Sequence, residues 1–189
     1  WLGRHTDLVA TVNAVDQISL GSLRLQLYLT PRTFLDRMRP VGLELGDCES
    51  LSQATCPQVR LLGYRLDPAE GALPSPGDRF VLTLYWESLA AMDRDYTVFV
   101  HLADSEERNW GQHDGQPAGG TYPTSAWLPG EIVVDQHPVQ VDPGAPPGTY
   151  RLMTGMYDGS NSQRLTVEGS SDIVDDDRVI LMKPEIKAP

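Results

Sequence analysis

Basic residues and long hydrophobic runs are both scarce in this sequence. Its 189 residues include 15 Lys and Arg against 26 Asp and Glu, so the formal net charge at pH 7 is -11. A surface of this charge repels the phosphates of nucleic acids and anionic lipids, and no basic patch offsets it. We therefore expect no nucleic-acid partner. No run of about 18 apolar residues is present either, so the sequence predicts no transmembrane helix within this chain.

The motifs of nucleophilic catalysis and phosphate binding are also missing. The sequence has no Gly-x-Ser-x-Gly turn, no phosphate-binding glycine loop and no Cys–His pairing typical of a thiol enzyme. Carboxylates are plentiful, yet none lies in an apolar stretch of the kind that tunes a carboxyl group for acid–base catalysis. We therefore expect neither a cofactor nor a catalytic residue in this chain.

Six residues near predicted strand ends are the candidates for a metal site. They are His101, His113, His137, Asp104, Asp114 and Asp135. No two of these histidines have the i, i+2 or i, i+4 spacing of a common metal site. Histidine clusters without such a motif are usually structural, so we expect no bound metal.

The two cysteines, Cys48 and Cys56, lie in the polar loop GDCESLSQATCP. Two free thiols are one interpretation. Because both cysteines lie in a turn-like polar stretch and their number is even, we favour a disulfide between them. Zinc is disfavoured, since no second pair of Cys or His residues has ligand spacing.

Short segments in which apolar and polar residues alternate are separated by turn residues. Ser22–Thr30, Arg79–Glu87 and Tyr96–Leu102 alternate with a period of two, which is the pattern of a half-buried strand. Further strands are predicted at Val59–Leu66, Arg108–His113, Glu131–Val141, Gly148–Tyr157, Gln163–Val167 and Arg178–Met182. Pro138 is expected at an edge or a bulge. This spacing predicts an all-β protein, an antiparallel immunoglobulin-like or jelly-roll-like β-sandwich of about eight or nine strands.

Residues 57–189 are predicted to form the β-sandwich core domain, and residues 183–189 read as a tail. Residues 1–56, which include the cysteine loop, either add strands to this sandwich or form a small appendage. The sequence leaves both arrangements open. The chain begins with Trp1 and not with Met, so we expect a piece of a longer protein whose targeting or anchoring segment lies upstream.

Five segments between Val59 and Val167 carry a resemblance to a known family. They are RLLGYRL (60–66), PGDRFVLTLYW (76–86), DYTVFVHL (95–102), QHDGQPAGGTYPTSAWLPGEIVVD (112–135) and PPGTYRLMTGMYD (146–158). This part of the chain resembles the C-terminal soluble β-sandwich domain of bacterial membrane-embedded glycosyltransferases of family 39, the proteins similar to dolichyl-phosphate-mannose protein mannosyltransferases. The resemblance implies an extracytoplasmic domain that is tethered to the membrane domain of its parent chain. The catalytic acidic residues of that class lie in the membrane part, so the resemblance assigns none here.

The connection from Asp114 to Gly130 is rich in glycine and contains several aromatic residues. A loop this long is usually functional or folded onto its domain. Its aromatic side chains could stack on sugar rings while carboxylates accept hydrogen bonds from sugar hydroxyls. Alternatively, they anchor the loop over the open end of the sandwich, which we favour. The candidate ligand-binding residues of the first interpretation are Trp110, His113, Asp114, Tyr122, Trp127, Glu131 and Asp135.

Two single residues also have structural interpretations. Asp114 lies in a His-Asp-Gly sequence, where an Asp side chain usually caps the amides of its own turn. Tyr150 follows a Pro-Gly pair and resembles the tyrosine that ties a strand corner to upstream backbone in immunoglobulin-like sandwiches.

Taken together, these features favour a non-catalytic extracytoplasmic module of a larger membrane-anchored glycosyltransferase-like protein. Such a module would act as a scaffold or weakly recognise a glycan or glycoprotein acceptor. The alternatives are a stand-alone carbohydrate-binding module of a secreted protein and a glycoside hydrolase that uses an unrecognised acidic pair.

Overall fold

Two β-sheets account for most of the secondary structure. The computed structural model describes residues 10–11, 38–47, 56–68, 75–167, 169–170 and 172–187. The strand predicted at Ser22–Thr30 lies outside these residues. Among the helices of the described ranges, none is both long enough and apolar enough to cross a membrane.

The described residues form thirteen strands. In chain order they are β1 (Ala10–Thr11), β2 (Arg39–Gly46), β3 (Val59–Asp67), β4 (Arg79–Ser88), β5 (Tyr96–Ala103), β6 (Asn109–Gly115), β7 (Ile132–Gln140), β8 (Gly148–Thr149), β9 (Arg151–Asp158), β10 (Thr166–Val167), β11 (Val174–Asp175), β12 (Arg178–Met182) and β13 (Glu185–Ile186). Two short 3-10 turns, Ala118–Gly120 and Thr124–Ala126, lie in the connection from β6 to β7.

The strands are arranged in two large sheets that pack face to face. Sheet A has the order β1-β7-β4-β3-β2-β10, and sheet B has the order β11-β12-β9-β5-β6. Strands β8 and β13 form a separate two-stranded ribbon. Neighbouring strands are antiparallel except for β1, which runs parallel to β7. The predicted all-β sandwich is therefore confirmed.

Alternation along the central strands decides which side chains fill the space between the sheets. The four alternate residues of β4 from Phe80 to Trp86 are buried in the main hydrophobic cluster. Val98, Val100 and Leu102 of β5 contribute to the same cluster from sheet B. Because burial of one such side chain stabilises the fold by about 1.5–3 kcal/mol, this double layer is the main source of stability. The inward faces predicted for β4 and β5 are confirmed.

Part of the chain before residue 57 belongs to the sandwich. Strand β2 lies between β3 and β10 in sheet A, and its residue Leu45 is fully buried in the core. The β2–β3 register shifts between Pro40 and Leu43, where Gly42 adopts a φ of 74°. Glycine tolerates this left-handed conformation without the clash that a Cβ atom would cause. The described residues 38–47 therefore add a strand and do not form an appendage.

Strand β6 ends later than the sequence predicts. The prediction ended this strand at His113, but Phe99 and Val98 of β5 pair with Asp114 and Gly115. Pairing with β5 therefore carries β6 beyond His113. Asp114 lies within a strand, and the connection to β7 begins only after Gly115.

Strand β7 places its proline at a sheet edge. The pairing of β7 with β4 continues through Pro138 without a shift of register, so the strand has no bulge there on the β4 side. On its other side, β7 pairs with β1 only at Ile132 and Val133. Pro138 thus lies where no described strand needs its missing N–H, which is the usual position of proline in a sheet.

The tail prediction for residues 183–189 is wrong for the described part of that segment. Glu185 and Ile186 form β13 and pair with β8, and the side chain of Ile186 is buried in the main cluster. Two buried residues, Pro184 and Ile186, are too few to show a period in this short polar segment, and the stabilising contacts come from residues distant in sequence. Burial of these two apolar side chains fixes the segment to the sandwich.

Tyr150 forms the corner that its sequence context predicts. It lies between β8 and β9, is buried, and its hydroxyl donates a hydrogen bond to the carbonyl oxygen of Pro146 at 2.6 Å. Its backbone N–H donates to the carbonyl oxygen of Pro184 at 2.8 Å. The predicted tie to upstream backbone is confirmed, and Tyr150 interrupts the single strand predicted over Gly148–Tyr157.

Candidate functional site

The connection between β6 and β7 packs down onto the sandwich. Trp127 is buried in the main cluster, and its indole N–H donates a hydrogen bond to the carbonyl oxygen of Tyr122 at 3.1 Å. Thr124 is buried, where its hydroxyl oxygen accepts a bond from the N–H of Tyr96 at 2.8 Å. The arrangement matches the interpretation of the aromatic residues as anchors. Trp127 presents no ring face on which a sugar could stack.

Glu131 and Tyr122 hold the end of this connection. The Tyr122 hydroxyl lies 2.8 Å and 3.0 Å from the two carboxylate oxygens of Glu131. The backbone N–H of Leu128 donates to the same carboxylate at 3.0 Å. Glu131 is buried, and its carboxylate already accepts hydrogen bonds from these internal donors. The carboxylate is therefore not available to a ligand in this conformation.

Asp135 of β7 and His113 of β6 lie on the inward sides of their strands. His137 of β7, which the sequence suggested only as a metal ligand, lies there with them. The core face of β7 is formed by its alternate residues, which are Val133, Asp135, His137 and Val139. The two rings of His137 and His113 meet through their Nδ1 atoms at 2.9 Å. These residues form an internal hydrogen-bonded chain beneath the connection.

Trp110 and Asp104 bind each other at the opposite end of β6. The indole N–H of Trp110 donates to Asp104 at 2.7 Å, and the N–H groups of Glu106 and Arg108 donate to the same carboxylate. These bonds, with that of Trp110 as the largest contribution, lower the pKa of Asp104. Asp104 therefore closes the β5–β6 turn. A shallow surface cleft of about 340 Å³ lies between this turn and the corner at Tyr150.

Asp114 has a different environment from the other predicted carboxylates. It lies on the outer face of sheet B, its side chain is 34% exposed, and one oxygen is 3.1 Å from Nε2 of His101 on β5. The Tyr157 hydroxyl of β9 lies 3.5 Å from its other oxygen. Its hydrogen-bond partners are thus on neighbouring strands, and the interpretation of Asp114 as a cap of its own turn is wrong.

A buried phenylalanine lies beside these side chains on the same face of sheet B. The ring of Phe99 packs against His101 and Tyr157, with ring centroids at 5.0 Å and 6.3 Å. The guanidinium of Arg164 lies 5.7 Å from the centroid of Phe99, a cation–π distance. We define the Asp114 cluster as His101, Asp114, Tyr157, Phe99 and Arg164.

The Asp114 cluster offers acceptors and donors on one exposed surface. Burial, and then the nearby charge of Asp114, raise the pKa of Tyr157, so its hydroxyl stays a protonated donor at neutral pH. A distance of 3.5 Å is long for an O–H···O bond, so the contact between Tyr157 and Asp114 is weak. A ligand hydroxyl can therefore displace it at little cost.

Asp114 and, as a metal candidate only, His101 are predicted from the sequence, whereas the other members of the Asp114 cluster are not. Tyr157 and Phe99 are brought to it by the pairing of β9, β5 and β6, in which Phe99 lies opposite both Gly155 and Asp114. Arg164 follows β9 and reaches the cluster through an isolated bridge to Tyr157. A side chain at Gly155 would collide with Phe99, since an added Cβ atom would lie 2.7 Å from its ring. A glycine inside an otherwise apolar strand was the available signal of such a close approach.

No metal site is formed by the described residues. Within those ranges, no three His, Cys, Asp or Glu side chains are grouped as metal ligands. His113 and His137 use their Nδ1 atoms for each other, and His101 lies on the opposite face of sheet B with Asp114. The six metal-site candidates are therefore divided between separate surfaces of the fold.

Cys56 is disulfide-bonded. Cys48, the partner that the sequence suggests, lies outside the described residues. Cys56 precedes β3, and an added Cβ atom at Gly46 of β2 would lie 2.4 Å from its sulfur. This close approach explains why β2 ends on a glycine.

Comparison with known proteins finds no protein-family model and no curated protein that the chain matches.

Proposed function

We propose that this chain is a non-catalytic, extracytoplasmic β-sandwich module of a larger membrane-anchored glycosyltransferase-like protein, and that it weakly recognises a glycan or glycoprotein acceptor. The observation that supports recognition is the exposed carboxylate of Asp114, which has one ordinary partner and one at the 3.5 Å limit. The resemblance of Val59–Val167 to the soluble domains of such enzymes supports the cellular context.

The state of the other carboxylates supports a non-catalytic role. Glu131 is bound by a tyrosine hydroxyl and a backbone amide, and Asp135 by a histidine and a backbone amide. Asp104 accepts three hydrogen bonds within its own hairpin. Glycoside hydrolysis needs two carboxyl groups that flank the scissile bond. Of the carboxylates predicted to bind a ligand, only Asp114 is exposed.

Recognition by the Asp114 cluster would rest on hydrogen bonds to adjacent sugar hydroxyls. The carboxylate of Asp114 accepts from two hydroxyls, and a bond to a charged acceptor is stronger than one between neutral groups. His101 and Tyr157 supply further polar atoms next to Asp114 on the outer face of sheet B. The Asp114 side chain is 34% exposed, so water competes with the sugar for it, and we expect affinities in the millimolar range, where binding is worth about -4 kcal/mol.

The test is an NMR titration of the isotope-labelled chain with a panel of neutral oligosaccharides at millimolar concentration. We expect shift changes at residues 97–101, 112–115 and 155–157, and their loss in Asp114→Asn. Asp172→Asn is the matched control, because Asp172 is an exposed aspartate in the β10–β11 connection and its replacement changes the net charge equally. The absence of any saturable shift, or equal responses in the two variants, would refute recognition through Asp114.

The membrane context has a separate test in the coding sequence upstream of Trp1. A series of hydrophobic spans with an acidic first outer loop would support the tethered module. A signal peptide with only a short leader would refute it and leave the stand-alone carbohydrate-binding module as the better proposal.

A further inference from the structure

A chain of hydrogen bonds joins the two sheets beneath the β6–β7 connection. Oδ2 of Asp135 lies 2.7 Å from Nε2 of His137, whose Nδ1 lies 2.9 Å from Nδ1 of His113. The other oxygen of Asp135 accepts a bond from the backbone N–H of Ala118 at 2.9 Å. The side chains of Asp135 and His137 are each only 1% exposed. The chain therefore links β6, β7 and the connection through groups that water hardly reaches.

The positions of the protons follow from the carboxylate end of this chain. An ionised carboxylate only accepts hydrogen bonds, so Nε2 of His137 carries the proton that it donates to Asp135. In a neutral imidazole the other nitrogen is then an acceptor, so His113 donates from Nδ1. The remaining nitrogen, Nε2 of His113, is unprotonated. It has no hydrogen-bond partner among the described residues.

The bond between the rings survives one added proton but not two. The first proton binds Nε2 of His113, whose Nδ1–H still donates to His137. A second proton would place an N–H on both sides of the contact between the rings. Two donors 2.9 Å apart cannot form a hydrogen bond and would repel, so the inter-sheet bond is lost.

The charges around His113 set the sign of the pH effect. Burial lowers the pKa of His113 from its ordinary 6.5, as does the adjacent His137, while Asp135 of β7 and Asp114 of the same strand act in the opposite direction. The residue opposite His113 on β5 is Val100, which is uncharged. Because the folded pKa lies below the unfolded one, the stabilisation is complete above about pH 6.5 and is lost as the pH falls.

We propose that Asp135, His137 and His113 form a pH-sensitive latch that closes the β6–β7 connection at neutral pH and releases it in acid. Loss of the bond between the rings separates the end of β6, from which the connection leaves, from β7, on which Asp135 holds the amide of Ala118. The anchors at Trp127 and Glu131 lie at its other end and contain no histidine. Opening is therefore expected to start at residues 116–121 and to leave β3 and β4 intact.

The test compares amide hydrogen exchange of the whole chain at about pH 7.5 and about pH 5.5, corrected for intrinsic rates. If opening admits one proton that the closed state excludes, linkage gives up to about a tenfold rise in the opening constant of residues 116–121 over this interval. We expect this rise in the wild type and in His101→Gln, whose histidine lies on the other face, and its absence in His113→Gln. A rise below about twofold in the wild type, an equal rise in His113→Gln, or simultaneous exposure of β3 and β4 would overturn the latch.

A second measurement needs no variant. Long-range proton–nitrogen spectra of the histidine rings at about pH 8 report which nitrogen of each ring is protonated. The latch requires a protonated Nδ1 and a bare Nε2 on His113, and the reverse on His137. The opposite tautomer on either ring would refute the order of donors in this chain.

Discussion

Replacement of Tyr150 by phenylalanine isolates a single hydrogen bond in a buried corner. The tyrosine hydroxyl donates to the carbonyl of Pro146 at 2.6 Å, while the ring packs in the main cluster. Burial raises the pKa of Tyr150, so the hydroxyl remains a donor at neutral pH. Phenylalanine keeps the ring and its apolar contacts and removes only the oxygen.

The expected loss is about 1 kcal/mol in the free energy of unfolding, which is the net contribution of one intramolecular hydrogen bond. A larger loss is not expected, because Pro146 is exposed and its carbonyl oxygen can bind water once the hydroxyl is gone. For a protein of this size, 1 kcal/mol lowers the melting temperature by about 2–4 °C.

Calorimetry or denaturant unfolding of Tyr150→Phe measures this loss directly. Tyr157→Phe is the matched control, because its hydroxyl has a 3.5 Å contact with Asp114 and should contribute little to stability. An unchanged melting temperature in Tyr150→Phe would show that the corner bond is not stabilising. Equal losses of unfolding free energy in both variants would show that the corner bond contributes no more than the weak contact of Tyr157.

Two further pairs of substitutions test the packed segments by denaturant unfolding. Ile186→Ala should cost about 2–5 kcal/mol because the side chain is 2% exposed, whereas Ile173→Ala, at 39% exposed, should cost much less; equal costs would mean that β13 does not contribute to the core. Trp127→Ala should cost about 3–5 kcal/mol, and its neighbour Leu128→Ala, 65% exposed, should be close to neutral; a neutral Trp127→Ala would contradict a packed connection.

The alternation of apolar and polar residues predicted the central strands well, because burial along these strands also repeats every two residues. On β4 and β5, every second residue faces the core, so the sequence contains the arrangement directly. The ends of strands are different. Strand β6 continues to Gly115 because Gly115 pairs with Val98 of β5. No property of residues 114 and 115 in the sequence predicts this pairing.

The candidate site was predicted as a set of residues but not as a geometry. The predicted set of ligand-binding residues contains both His113 and Asp114, yet adjacent residues of a strand face opposite sides. His113 points to the core side and meets His137, while Asp114 points outward and meets His101. Only the strand registers, which join residues 13 to 43 positions apart, could reveal these pairs.

The two proposed sites thus lie on opposite faces of β6, an edge strand of sheet B. The outer one depends on the carboxylate of Asp114, and the inner one depends on the imidazole of His113. Because the two side chains share no hydrogen-bond partner, Asp114→Asn leaves the inner chain of bonds intact, and His113→Gln leaves the outer carboxylate in place. The charge of Asp114 raises the pKa of His113, so the acid response of Asp114→Asn should be retained or somewhat larger. Loss of glycan binding in this variant with a retained acid response, and the reverse in His113→Gln, would therefore separate recognition from pH sensing within two adjacent residues.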